Sequence, residues 1–182
     1  MTAIRPATIE DCGRLAAMHV AASQETYRGI FPDAVLDAMS VPERADRWRE
    51  IMAANPDHPV LIAEEANDIV GFANGGPRRG DELGQDAEVY AIYVLRYAQR
   101  RGIGRRLMAL LASDFETRGW RSLCLWVARD NHPARRFYEQ LGGECVAEKI
   151  VRREEYTLAE VAYAWADVSV LRPPTAFPSA RR

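Results

Sequence analysis

The run Val89-Tyr90-Ala91-Ile92-Tyr93-Val94 is apolar at nearly every position, and shortly after it the apolar residues switch to a helical period. That change of period constrains the fold more than any other stretch of the chain. A β-branched and aromatic run without polar alternation suits a strand buried on both faces. Ile103, Leu107, Leu110, Leu111 and Phe115 then recur at three- and four-residue steps, with Arg105, Arg106, Ser113, Asp114 and Arg118 filling much of the other side. Between strand and helix lies Gln99-Arg100-Arg101-Gly102-Ile103-Gly104, a basic turn punctuated by glycine. The first N–H groups of the helix have no partner within it, and the helix dipole favours an anion there. Two glycines let such an anion approach the backbone, and Arg100, Arg101 and Arg105 add charge.

The spacing excludes two phosphate-binding patterns. The dinucleotide fingerprint needs a third glycine at position 107, which is Leu, and the P-loop sequence is absent. A net charge of −2 gives no general field for nucleic acid, and a single polyanionic cofactor accounts for the local arginines more economically. The chain has 182 residues, 48% hydrophobic and 27% charged, which fits one soluble domain able to bury roughly 70% of its unfolded surface. We read that domain as residues 1–170, followed by a loose Pro-rich tail at 171–182. No apolar run approaches the ~20 residues of a membrane span, and the N-terminus lacks an apolar signal core, so the expectation is a cytoplasmic protein with no membrane partner. Cys12, Cys124 and Cys145 are odd in number and far apart, which argues for buried small hydrophobes rather than disulfides or zinc ligands.

Read in order, residues 3–5 form a first strand stopped by Pro6. A Thr8/Asp11 cap opens a helix carrying Ile9, Cys12, Leu15, Ala16 and a core-facing His19, and residues 24–32 break it. Short helices follow over 33–39 and 43–54. Apolar runs at 60–64 and 69–74 make a hairpin across residues 65–68, and the glycine-rich segment 75–85 reads as a mobile loop. After the organising helix comes a second buried strand, 122–128. Asn131 then caps a helix whose face is Ala134, Phe137, Tyr138 and Leu141, ended by Gly142-Gly143. Strands at 146–152 and 160–167 finish the domain.

Two of these segments resemble the GNAT superfamily of N-acetyltransferases. Gln99, Gly102 and Gly104 match its acyl-coenzyme A motif, Gln/Arg-x-x-Gly-x-Gly/Ala, at the family's place between strand and helix. Asn131, Ala134, Phe137, Tyr138 and Gly142 match a second pattern, Asn-x-x-Ala-x-x-Phe-Tyr-x-x-x-Gly-Phe, departing at Gly143 where Phe is usual. With the order of elements, the resemblance spans roughly residues 2 to 168. It implies an α+β fold with a mostly antiparallel, twisted mixed sheet of about seven strands flanked by helices.

The resemblance also implies acetyl-CoA as co-substrate, no metal, and direct attack by a primary amine in a ternary complex. Alkyl amines have a pKa near 10, so a base must take a proton at neutral pH. Glu88, in apolar surroundings at the start of the organising strand, is the candidate base, and Tyr138 the acid that protonates the departing sulfur. Backbone groups of Ile92, Tyr93 and Val94 would pair with the pantetheine arm, the Val94 N–H polarising the acetyl carbonyl. The N–H groups of Arg100, Arg101, Gly102, Ile103, Gly104 and Arg105 would hold the pyrophosphate, beside Gln99, and the Asn131 amide would bond the cofactor. Tyr27 and Arg28 are candidates for acceptor contacts, with Glu25, Asp81, Glu82 and Asp86 as an acidic rim. Two alternatives stay open: an acyl-CoA-binding regulatory module without catalysis, and an acetyltransferase of protein N-termini or lysines rather than small amines. The apolar residues of the last strand, Trp165 among them, leave a homodimer open.

Overall fold

The computed structural model describes residues 2–80 and 83–172. Strand β1 (Ala3–Pro6) leads through a 3-10 turn into helix α1 (Cys12–Tyr27), then α2 (Asp33–Asp37) and α3 (Val41–Ala54). A meander of β2 (Val60–Glu65), β3 (Asp68–Pro77) and β4 (Ala87–Val94) precedes α4 (Ile103–Thr117), β5 (Leu123–Ala128), α5 (His132–Gln140), β6 (Glu144–Arg152) and β7 (Thr157–Trp165). The seven strands form one sheet in the order β1-β2-β3-β4-β5-β7-β6. Neighbours are antiparallel except β4 and β5, which run parallel. This is the mixed, helix-flanked α+β architecture expected. No helix among the described residues is long and apolar enough to cross a membrane.

Each face of the sheet is covered by the helices whose apolar stripe matches it. Leu107, Met108, Leu111 and Phe115 of α4 are fully buried against Val70, Ala73, Val89 and Leu123. Leu15 and Ala16 of α1 and Trp48 of α3 cover Ile62 and Phe72 on the other side. Burying a side chain such as Phe115 contributes about 2–3 kcal/mol. Leu110, expected on the buried stripe of α4, is 44% exposed, because the stripe follows Ile103, Leu107, Leu111 and Phe115 and leaves it outside.

Several boundaries differ from those expected, for local reasons. Helix α1 continues through residues 24–27, since Gln24, Glu25 and Thr26 do not break a helix; the chain turns only near Gly29, at φ +80°. Gly75, Gly76 and Pro77 lie within β3, paired with Val89, Glu88 and Ala87, and are not part of a loop. A Cβ on Gly75 would stand 2.6 Å from the Glu88 carbonyl oxygen and 2.7 Å from Phe115 Cζ, so this closely approached position requires glycine. The register shifts there, Asn74 facing Ala91 and Gly75 facing Val89, which makes Tyr90 the extra residue of a β-bulge. Of the segment read as mobile, Asp81 and Glu82 lie outside the described residues.

Cys12 and Cys124 are buried as expected, but Cys145 is exposed, standing where edge strand β6 shifts register. Trp165 does not present an apolar surface: it is 2% exposed and its Nε1–H donates to the Leu141 carbonyl at 2.9 Å. Of the segment expected to be loose, Leu171 and Arg172 are held in place. Residues Val168–Leu171 form a 3-10 turn with Val168 and Leu171 buried in the core shared with α4, and Arg172 pairs with Glu116. Pro173, Pro174 and Pro178 lie outside the described residues.

Candidate active site

Strands β4 and β5 are hydrogen-bonded partners at two positions only, Ala87 with Leu123 and Glu88 with Cys124. Beyond Glu88 they diverge. Ile92, Tyr93 and Val94 remain paired to Ala73, Phe72 and Gly71 of β3, so the edge of β4 that faces β5 is left open. The Tyr90 bulge sits where the divergence starts, as expected of a device that bends one strand away from another. An open strand edge inside a sheet offers amides and carbonyls to a strand-like ligand. One carbonyl is already used: Gln99 Nε2 donates to the Val94 oxygen at 2.9 Å, so this side chain secures the turn behind β4.

The turn itself takes two left-handed residues, Arg100 at φ +62° and Gly102 at φ +79°. The first α4 bond runs from the Arg106 N–H to the Gly102 carbonyl at 3.0 Å. Among the described residues, the N–H groups of residues 100–105 donate to no backbone or side-chain acceptor. Such a row of unclaimed amides at a helix start forms an anion cradle. Gly102 faces open space, whereas a Cβ on Gly104 would meet Phe137 Cζ of α5 at 3.1 Å. Arg101 turns away to Glu65, at 2.6 and 3.0 Å, so only its amide is turned to this use. Arg100 and Arg105 are exposed and make no ion pair among the described residues. Asn131 is buried, and its Oδ1 caps α5 by accepting from the Ala134 N–H at 3.3 Å. Its NH2 donors are the part left for a ligand.

Glu88 is buried, 2% exposed, but is not alone in apolar surroundings. Its carboxylate accepts from the Arg79 backbone N–H at 2.9 Å and from the guanidinium at 2.5 and 3.2 Å, a partner that sequence reasoning missed. Arg79 also lies over the Tyr90 ring, 4.1 Å from its centroid. Tyr138 of α5 is buried among Tyr163 and Trp165, ring centroids at 5.7 and 6.3 Å, and this burial pushes its phenol pKa well up. The phenol therefore stays protonated at neutral pH. Tyr93 lies close enough to Tyr138 to act on its charge.

Tyr27 and Tyr93 share a hydroxyl–hydroxyl hydrogen bond of 3.1 Å. Tyr27 stacks on Phe31 at 4.3 Å, and Phe31 on Tyr156 at 4.9 Å, so the loop after α1 meets the β6–β7 loop as an aromatic wall. The single aromatic in the charged stretch Arg153-Glu154-Glu155-Tyr156 was the available signal for Tyr156. Arg28, expected beside Tyr27 as an acceptor contact, pairs instead with Asp33 at 2.9 Å and with Asp37. Glu25 does not form a rim; it accepts from the Arg96 N–H at 2.8 Å and ties the turn after β4 to α1. Asp86 is likewise engaged, accepting from the Arg121 and Ser122 N–H groups at 2.8 and 3.0 Å. His19 faces the core against Trp48, Phe72 and Tyr93, where burial lowers its pKa to about 3 and keeps it neutral.

The open edge of β4 runs into the amide cradle, and α5, which carries the buried phenol, packs Phe137 against Gly104 of that cradle. A model of the acetyltransferase (GNAT) family matches residues 19–143, which takes in all three.

The chain belongs to the GNAT family.

An uncharacterized N-acetyltransferase of Bacillus subtilis (strain 168), YuaI, is 35% identical over 173 residues, covering 94% of this chain and 97% of the relative. Among solved structures, an N-acetyltransferase of Staphylococcus aureus Mu50 superposes with a TM-score of 0.70 at 20% identity, covering 92% of this chain and 99% of the other. The acetyltransferase yncA of Salmonella typhimurium, solved with its cofactor acetyl-CoA, does so with a TM-score of 0.68 at 20% identity and 99% coverage of both chains. In this GNAT chain, Ile92, Tyr93 and Val94 lie on the β4 segment unpaired to β5, the cradle residues follow it, and Asn131 caps the helix after β5 that carries Tyr138. Glu88 is the last β4 residue paired to β5, and Tyr27 reaches the Tyr93 hydroxyl.

Proposed function

We propose that this GNAT chain transfers an acetyl group from acetyl-CoA to a primary amine of a small molecule or peptide, by direct attack in a ternary complex. The observation that carries the reading is the row of unclaimed amides from 100 to 105, placed at the end of a strand whose edge is open. Those amides, with Arg100 and Arg105, suit a pyrophosphate, and the free edge at Ile92, Tyr93 and Val94 suits the amide-bearing pantetheine arm. The Val94 N–H polarises the acetyl carbonyl, and the Asn131 NH2 bonds the cofactor.

Glu88 removes a proton from the acceptor ammonium, and the neutral amine forms the new C–N bond at the acetyl carbon. As the C–S bond breaks, its electron pair goes to sulfur, which takes the Tyr138 proton; the phenolate recovers the second proton from nitrogen. One proton leaves through Glu88, which balances ammonium plus thioester against amide plus thiol. Tyr138 suits the acid role because burial keeps its phenol protonated.

Calorimetric titration with acetyl-CoA tests binding, and thiol release against a panel of amines tests transfer. Uptake followed by amine-dependent thiol release is the expected result. Uptake without release from any amine would leave only an acyl-CoA-binding module, and no uptake would remove the site altogether.

A further inference from the structure

The Arg79–Glu88 pair is lopsided: the Glu88 side chain is 3% exposed and that of Arg79 is 63% exposed. A buried carboxylate thus meets a largely exposed guanidinium. Only Nε and Nη2 of that guanidinium are engaged, both on the same Glu88 oxygen, and Nη1 donates to nothing among the described residues. The planar fork has donors left for a second carboxylate.

We propose that this pair selects an acceptor carrying a carboxylate beside its amine, an α-amino acid or close analogue, a reading that rests on the acetyl transfer described above. An acceptor ammonium must approach Glu88 to lose its proton, and it then competes with the Arg79 guanidinium for the same oxygen. A bare amine that wins this contest leaves the guanidinium to solvent, without a carboxylate partner. An amino acid resolves it by exchange: its ammonium takes the place beside Glu88 and its carboxylate takes the fork of Arg79, so all four charges stay paired.

Hydrogen bonds hold the backbone beside Arg79. Tyr90 donates to the Pro77 carbonyl at 2.6 Å, Arg78 Nε to the Gln85 carbonyl at 2.9 Å, and the Arg78 N–H to the Asp86 carbonyl at 3.2 Å. The Arg79 N–H bond to Glu88 holds the backbone as well, so the guanidinium alone has to shift along the Tyr90 face. The stacked rings of Tyr27, Phe31 and Tyr156 are suited to an apolar or aromatic side chain on the amino acid.

Matched acceptors test the proposal: L-phenylalanine against 2-phenylethylamine, and L-methionine against 3-(methylthio)propylamine, each followed by thiol release from acetyl-CoA. The expected kcat/KM for the carboxylate-bearing member is at least about tenfold higher, as for a charge-assisted two-donor contact. Arg79→Met should bring that ratio toward one, and Arg79→Lys should restore part of it. A merely structural role for Arg79 would lower both members of a pair together and leave the ratio unchanged. The inference is overturned if the bare amines match the amino acids, if no amino acid is acetylated, or if the ratio survives Arg79→Met. Should that variant fail to fold, the wild-type ratio alone decides. Calorimetry on the same protein separates the two levels: no acetyl-CoA uptake sinks the transfer reading as well, whereas uptake and transfer without preference sink only this one.

Discussion

Replacing Gly102 by Asp and by Asn separates backbone geometry from charge at the cradle. The residue has φ +79°, and no atom stands within 4 Å of where its Cβ would lie, so neither side chain clashes. Asn and Asp both tolerate the left-handed region better than other residues, and their backbone cost is similar and is present with or without ligand. What differs is one negative charge. At roughly 6 Å and an effective dielectric constant near 40, each of two phosphate charges repels the carboxylate by about 1.4 kcal/mol, or about 3 kcal/mol together. That predicts roughly a hundredfold weaker acetyl-CoA binding for Gly102→Asp, against several-fold for Gly102→Asn. Isothermal titration at low and high salt is the assay, and the Asp penalty should shrink at high salt through screening. Equal affinities for the two variants would refute the placement of the pyrophosphate on these amides.

Tyr138→Phe should lower turnover at least about tenfold while calorimetric affinity for acetyl-CoA changes little; unaltered turnover would remove the phenol as proton donor. Glu88→Gln removes the base, so its rate should climb with pH toward the amine pKa near 10, and a rate profile identical to the wild type would point to another base. His19 titrates near 6.5 when unfolded and near 3 when folded, so between those values the unfolded chain holds the extra proton. Stability from this residue is therefore present above pH 6.5 and lost as pH falls from about 6.5 to about 3. Urea midpoints measured across that window should decline in the wild type and decline less in His19→Leu; parallel curves would contradict the buried neutral imidazole.

The elements legible in the chain were those specified over a few consecutive residues. The strand from 87 to 94, the glycine turn, the amphipathic helix that buries Leu107, Leu111 and Phe115, and the Asn131 cap all follow from period, turn chemistry and capping, which act locally. The run of unclaimed amides was legible for the same reason, since it belongs to one turn. Misreadings fell where distant groups overrule local preference. Gly75, Gly76 and Pro77 have poor strand propensity, yet they continue β3, and at Gly75 only glycine lets the strand pass Glu88 and Phe115 at the bulge. Leu110 and Cys145 are apolar by identity and exposed by position.

What the sequence determined by itself was the order of elements, the buried stripes and the two motifs that bind this chain to its family. The tertiary structure alone decided which charges and rings meet. It put the Arg79 guanidinium on Glu88, closed Phe31 against Tyr156, joined the hydroxyls of Tyr27 and Tyr93 across 66 residues, and engaged Arg28 with Asp33 and Glu25 with the Arg96 N–H. The physical reason is range: hydrogen bonds along a helix or turn are written within a few neighbours. The partner of a side chain such as Glu88 depends instead on how β4 parts from β5 and which loops fall beside the gap.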